Sequence, residues 1–527
     1  MRDVRSTLER MPVSVSSAAV GVAAGVASVL GSYGAAGFTP GFVVAPVEST
    51  LSRLMPGQVI TFAITVLGNL GQKLNLAFAS LLVVGVVAAV AVLATGLGRR
   101  LDRPGVPTLA TLVAVWALAA AVTLQPVQAL GAAAGAGLVV GASEVSVSLG
   151  RFPEARTEDG NRRRRVVSAL GTAAAASVVG VVAGRSQTDE ATDGSSNGGG
   201  SAGDRTFDVA DRIADAEAKS FDIEGMDPAI SEGFYQVDIS SVNPDIAPEG
   251  WALKVTGAVE NELALSYEDI REMDHEHRFS TIRCVGENLN GHKMDNALWT
   301  GAPVASIIEE AAPTSDCNCV MLRADGDGFF EEFPLDALRP GMLAYGMNGR
   351  PLPRGHGAPV RAVVPGHWGE VNVKWLTEIE FLEKEQDGYW EKRGWHGTGP
   401  VKTVAKLHGT ERRDDGRVVV GGHAYAGLRG ISAVEVSTDG GDSWTEAELA
   451  ERLGGATGPA TDVGGGDEFA ADAWRSWRHV YDPPEGPHEV VVRAYERDGT
   501  RQPEESTGSF PSGPSGWVSE TVDPSNL

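Results

Sequence analysis

Three cysteines, Cys284, Cys317 and Cys319, are the residues of this 527-residue chain most able to do distinctive chemistry. Cys317 and Cys319 flank Asn318, with no second pair at zinc spacing, and no Cys-x-x-Cys-His run that would anchor a haem occurs. They read as part of a loop, and three cysteines make no disulfide framework. Cys284 stands alone in Arg283-Cys284-Val285-Gly286-Glu287-Asn288. Taken by itself, such a thiol reads first as a small, well-buried structural residue. As a thiolate it is also a soft ligand for a high-valent metal, and binding keeps the sulfur deprotonated. One cysteine cannot build a zinc or iron–sulfur site, so a metal held here would arrive already chelated. The glycine-rich stretch 454–466 lacks the lysine of a phosphate loop and follows no strand–helix junction.

The surrounding motifs change the weight given to Cys284. Trp299-Thr300-Gly301 follows it, then Tyr345-Gly346-Met347-Asn348-Gly349-Arg350-Pro351-Leu352-Pro353, His356-Gly357 and Val364-Pro365-Gly366. Their order and wording resemble the sulfite oxidase family over about 210–520. The resemblance implies that Cys284 is the single protein ligand to the molybdenum of molybdopterin, with Trp299 packed beside it. It also implies cofactor contacts from Phe234, Tyr235 and Gln236, from Asp325, from His356 and Arg361, and from Asn372, Val373 and Lys374. Those roles are physically sensible, since Arg361 and Lys374 can neutralise a phosphate, the arginine bidentately. Singly, each has a plainer reading; a loop aspartate such as Asp325 is ordinarily a turn residue. Family members hold sulfite with arginines where this chain has Leu289 and Gln236. Trp395 stands where they carry a tyrosine implicated in electron transfer. The resemblance therefore implies a thinned anion clamp, with Arg283, His292 and Lys293 as candidate replacements.

The elements that must position these residues are mixed. The stretch 251–259 alternates like a strand, 352–364 is apolar and β-prone, and 304–312 reads as a short helix between Pro303 and Pro313. Beyond 398, apolar runs at 417–420, 433–437 and 488–495 alternate with Asp-Gly, Gly-Gly and Pro-Pro turns. Upstream the pattern is different. Stretches 13–35, 74–96, 108–125, 127–148 and 166–184 are apolar, rich in Ala, Gly and Val, and near the ~20 residues a bilayer requires. The weaker stretch 57–70 suits an interface. Arginines cluster before the first span, after the second and after the fourth, which places the part after residue 186 outside the cytoplasm. Arg162 to Arg165 and the residues after them resemble a twin-arginine export signal, and serve equally as a cytoplasmic anchor.

Charge separates the halves. Residues 1–200 carry 15 basic and 11 acidic side chains, a net of +4, whereas 201–527 carry 29 and 58, a net of −29. So acidic and lysine-poor a surface excludes nucleic-acid binding and suits a domain bathed in high salt. The expected fold class is multi-domain. An N-terminal all-α transmembrane bundle of about five helices over 1–185 leads through a flexible linker, 186–206, to the remainder. There follow an α+β molybdopterin-binding catalytic domain of sulfite-oxidase type over 207–397 and an immunoglobulin-like β-sandwich for dimerisation over 398–522. The expected protein is a membrane-anchored prokaryotic member of the family, of the haloarchaeal kind. The expected function is oxygen-atom transfer at the molybdenum–molybdopterin cofactor, sulfite to sulfate, with Cys284, Trp299 and Trp395 as catalytic residues. Reduction of an S-oxide, N-oxide or oxyanion is the first alternative, and a non-catalytic membrane binding protein the second. The expected partners are a small oxo-anion or S-/N-oxide substrate, a separate electron carrier, membrane lipid and a second copy of the chain.

Overall fold

The computed structural model describes residues 15–149, 171–172, 207–325, 328–461 and 468–527. The chain divides into two compact units. One comprises Met1–Met55, Gly68–Gly194 and Asp238–Asp245; the other comprises Pro56–Leu67, Ser195–Val237 and Ile246–Leu527. The linker and the arginine run 162–165 lie outside the described residues, as does the span expected over 166–184 apart from two positions.

In the first unit, the helices Val15–Ala36, Asn69–Leu101, Val106–Thr123 and Ala129–Leu149 pack side by side. Small residues let them approach closely. A Cβ at Gly31 would run into the Gly131 carbonyl, and one at Gly135 into the backbone of Ala27. Leu81, Leu109, Val113 and Leu138 are exposed on the outside, as lipid contact requires. Three helices are long and apolar enough to cross a bilayer, and Ala129–Val145 is a shorter apolar one. The chain is a multi-pass membrane protein. Glu48 is buried in this unit but satisfied, accepting from Asn75 Nδ2 at 2.7 Å and from Ser241 N at 3.0 Å.

The second unit begins its α+β part with two sheets. In one, Ala252–Gly257 lies parallel to Leu376–Phe381 and antiparallel to Leu263–Ser266, while Val320–Ala324 pairs the other side of Leu376–Phe381. The helix Val304–Ala311 buries Val304, Ile307 and Ile308 in the same core as Leu253, Val255, Leu322 and Ile379. The other sheet positions the site. Glu276–Arg283 pairs antiparallel with Met294–Pro303, which pairs with Met342–Met347, and Arg361–Val363 lies on the far edge of that strand. The sulfurs of Cys317 and Cys319 are bonded to each other, leaving Cys284 as the free thiol.

The immunoglobulin-like β-sandwich expected over 398–522 has to be corrected. Two open sheets form instead, and no sheet among the described residues closes into a sandwich or barrel. The first is built on Val418–Tyr425 and Arg475–Tyr481, the second on Ile431–Ser437, His488–Glu496 and Val518–Val522. Their edges are frayed by two-residue strands at Val404–Ala405, Thr445–Glu446 and Glu448–Leu449. Apolar alternation identifies which stretches are extended. How sheets close depends on pairings tens of residues apart, which alternation does not encode. One apolar cluster runs through both sheets and on to Val285, Trp368 and Trp395 beside Cys284.

Candidate cofactor site around Cys284

Cys284 directly follows the strand Glu276–Arg283, at the start of a loop that returns at Lys293. Its N–H donates to the Lys293 carbonyl at 2.9 Å, and the strand partner of Arg283 is Met294. Glu287 braces this loop from within. Its carboxylate accepts from Arg283 Nε at 2.7 Å, from Lys406 Nζ at 2.6 Å and from Lys293 N at 3.1 Å, and the ionic side chains of Arg283, Glu287 and Lys406 are all buried. Lys406 also donates to the Gly291 carbonyl, and the Arg283 guanidinium lies 4.9 Å from the Trp368 ring centroid. Burial pushes the Cys284 thiol up to about 11, the nearby Lys293 pulls the other way, and Glu287 adds to the rise. Alone, the sulfur is therefore a neutral thiol at neutral pH. A metal would have to displace its proton.

Aromatic rings form one wall. Phe234 stacks on Tyr235 with centroids 5.6 Å apart and meets Trp299 edge-on at 5.6 Å and His356 edge-on at 5.5 Å. Trp299 is fully buried, its indole N–H donating to the Ser280 carbonyl, with the Arg361 guanidinium 5.1 Å over its ring. Burial holds the Tyr235 phenol well above its ordinary range, with the charges of Cys284 and Asp295 acting in the same direction. Tyr235 is held in place by its N–H, which donates to Asp295 at 2.7 Å.

A tight loop adjoins this wall at His356. His356 ends the 3-10 turn Arg354–His356, and Gly357 follows at φ 108°, a conformation suited to glycine. A Cβ at Gly357 would stand 2.9 Å from Lys374 Cα and 3.1 Å from Arg361 Cβ, so three cofactor-contact candidates crowd one glycine. A Cβ at Gly355 would meet Gln236 Oε1 at 2.5 Å, which brings Gln236 to the same loop. Arg361 donates to the carbonyls of His356 at 3.0 Å and Asn372 at 2.9 Å, and Lys374 Nζ donates to the Gly355 carbonyl at 3.1 Å. Burial and these two cations push His356 down to about 3, so its ring is neutral. Trp395 completes the surround. A Cβ at Gly286 would lie 3.8 Å from the Trp395 ring and 3.9 Å from Cys284 Sγ.

Cys284, Trp299, Trp395, Phe234, Tyr235, Gln236, His356, Arg361 and Lys374 are thus brought together. Asn372 and Val373 join them through backbone rather than side chain. The Asn372 amide is spent on Val364 N and the Trp368 carbonyl, and Val373 lies in the apolar core. Asp325 is exposed, its N–H bonded to the Trp375 carbonyl next to Lys374. Of the candidate anion-holding cations, Arg283 is tied to Glu287 and the Lys402 carbonyl, and His292 is exposed and stacked on His408. Lys293 remains near the sulfur. Sequence reasoning missed Glu287; the Gly286-Glu287 step inside the cysteine motif was the available signal. Among the described residues no three His, Cys, Asp or Glu side chains converge as a metal cluster. The donor set fits a metal already chelated by an organic cofactor: one thiol, a neutral imidazole and a lysine beside a glycine-lined loop.

Residues 240–390 match the family profile described as "Oxidoreductase molybdopterin binding domain", and residues 401–512 match "Mo-co oxidoreductase dimerisation domain". "Uncharacterized oxidoreductase YuiH" of Bacillus subtilis (strain 168) is 33% identical over 151 residues, covering 28% of this chain and 74% of that protein. Mitochondrial sulfite oxidase of Rattus norvegicus is 28% identical over 253 residues, 39% of this chain and 46% of the relative. The Homo sapiens enzyme is 28% identical over 313 residues, with 50% and 55% covered. The chain spans about half the length of these sulfite oxidases. Among solved structures, the sulfane dehydrogenase SoxCD from Paracoccus pantotrophus superposes with a TM-score of 0.44 at 18% identity, over 58% of this chain and 83% of that one.

Proposed function

This chain belongs to the family of oxidoreductases with a molybdopterin-binding domain, and from that we propose that it is a membrane-anchored oxygen-atom-transfer enzyme working outside the cytoplasm on a molybdenum held by Cys284. The observation that carries the proposal is a lone, half-buried thiol with Trp395 close by and Tyr235 within electrostatic reach, Tyr235 stacking on the Phe234 ring that meets Trp299 and His356. When bound, molybdopterin supplies two-electron oxygen-atom transfer. The protein holds and orients. Lys374 provides positive charge for a phosphate, Arg361 fixes the His356 loop through two carbonyls, and neutral His356 offers a hydrogen bond to the cofactor edge. Tyr235, protonated across the working pH range, is a donor beside the sulfur. We take electrons to leave or arrive through a separate carrier, and the C-terminal region to pair two copies of the chain.

Sulfite oxidation is the first reaction to assay, because sulfite oxidases are among the relatives of this chain. A second reading, reduction of an S-oxide or N-oxide, is favoured by the partial commitment of Arg283, whose Nε and Nη1 are held by Glu287 and the Lys402 carbonyl and leave Nη2 alone unbonded. Elemental analysis of the purified full-length protein tests the shared premise. Roughly one molybdenum per chain is expected in wild type and none in Cys284→Ala. Wild type without molybdenum, or Cys284→Ala with full occupancy and activity, overturns it. Sulfite oxidation compared with S-oxide and N-oxide reduction in one preparation then separates the two readings.

A further inference from the structure

The stretch Pro56–Leu67 lies in the chain between apolar helices of the membrane unit, yet it belongs to the same compact unit as Cys284. Pro56 breaks the preceding helix. The chain then runs as an α-helix over Gly57–Phe62 and widens to a π turn over Ala63–Leu67. Val59, Phe62 and Val66 are exposed, whereas Ile60, Ile64 and Leu67 are half-buried. Ile64 packs against the apolar cluster that holds Val285 and Trp395, as does Leu289. Gly57 abuts Arg393, a Cβ there standing 3.2 Å from Arg393 Cα, which seats the segment near Trp395. The key contact is at Gly286. A Cβ at that position would lie 2.9 Å from Ile64 Cγ2 while being 3.9 Å from Cys284 Sγ. Ile64, Trp395 and the sulfur therefore all lie around Gly286.

We propose that Ile64, carried on Pro56–Leu67, is a specificity-determining wall of the substrate site and selects an uncharged S- or N-oxide with an apolar substituent over a small oxo-anion. The inference rests on the reading that Cys284 holds the catalytic metal. Its basis is the charge inventory of this chain. Arg283 is held by Glu287 and the Lys402 carbonyl with Nη2 alone left unbonded, Arg361 donates to two carbonyls, His292 stacks on His408, and Lys293 lies near the sulfur. A dianion seated against Ile64 and Trp395 would be desolvated on that side by apolar side chains that return no charge. An uncharged oxide carries no such penalty, and its apolar substituent gains by contact with the same two side chains.

Thiol labelling of the full-length chain, purified without cofactor, reads the wall independently of turnover. Cys284 is labelled with neutral N-ethylmaleimide and with an anionic methanethiosulfonate, each variant being compared with wild type. Ile64→Ala is expected to raise both rates at least tenfold, and Ile64→Arg to shift the ratio tenfold toward the anionic reagent. In the loaded enzyme, Ile64→Arg is expected to lower KM for sulfite and raise KM for dimethyl sulfoxide, each by tenfold or more. Labelling rates and KM ratios within twofold of wild type in both variants overturn the wall. Should the arginine variant not fold, the alanine variant decides by labelling and by its loss of preference for dimethyl sulfoxide. The two proposals fail separately. A molybdenum-free wild type defeats the function and leaves the labelling result standing, while a loaded enzyme indifferent to Ile64 defeats the wall alone.

Discussion

Glu287 sits between Arg283 and Lys406 with essentially no exposure on any of the three side chains. Burial lowers Lys406 to about 8 even with that partner, a measure of how poorly the surroundings tolerate charge. Removing the carboxylate by Glu287→Ala leaves two buried cations uncompensated, and is expected to cost about 3–5 kcal/mol of stability. Because Lys293 N also bonds Glu287, the loop after Cys284 loosens, so molybdenum content should fall with the midpoint of chemical denaturation. A variant with wild-type stability and metal content would show that Glu287 is incidental. Cys284 itself makes a pH prediction. Its thiol lies near 11 instead of the ordinary 9.0, so in cofactor-free chain its alkylation rate should keep rising toward pH 11. An exposed thiol would level off about two units earlier. A plateau near pH 9 would mean that the sulfur is not desolvated.

Asp472 ties several elements behind the site. It accepts from Ser280 on Glu276–Arg283, from Tyr425 Oη at 2.7 Å on Val418–Tyr425, and from Gly366 N at 2.7 Å. Burial raises it to about 6 from 3.8, against the pull of those bonds. A carboxyl with a raised folded pKa stabilises fully below its unfolded value, and that stability is lost as pH rises through the folded one. Unfolding free energy should therefore fall by up to roughly 3 kcal/mol between about pH 4 and pH 6. Asp472→Asn should flatten that slope, while Asp472→Ala should destabilise at every pH by orphaning three donors. An unchanged slope in the asparagine variant would assign the effect to other groups. The same element shows what could be read in advance. The positions of His356, Arg361 and Lys374 could be named in advance only through the family motif, whereas the strand Glu276–Arg283 leading to Cys284 was not legible, since its mixed polar sequence shows no clear alternation. Nor were Asp472 and Ile64, since each meets the site from about two hundred residues away. The 57–70 stretch looked interfacial by hydropathy alone, and nothing local in it points to Gly286. The C-terminal runs announced strands but not how their sheets would end, and two-residue edge strands carry almost no alternation to read.

At the scale of the molecule, an apolar multi-pass bundle is joined to an acidic body, residues 201–527 having 29 basic and 58 acidic side chains. Ion pairs between opposite charges leave the net excess unchanged, and exposed ones such as Arg417–Asp415 contribute little. Folding gathers like charges into a smaller volume, so the native state carries more self-repulsion than the unfolded chain. Salt relieves it. The screening length shrinks from about 10 Å at 0.1 M to about 3 Å at 1 M. The full-length protein in detergent should accordingly gain Tm as KCl rises from 0.1 to 1 M, each kcal/mol of relief being worth roughly 2–4 °C. Screening by a simple salt has to be distinguished from general exclusion of solutes, which also stabilises. Sucrose at equal osmolality supplies that control. A gain with KCl well beyond the gain with sucrose identifies charge repulsion as the term relieved. Equal gains would mean that the acidic surface is held at no electrostatic cost, and that its composition answers to solubility instead of stability.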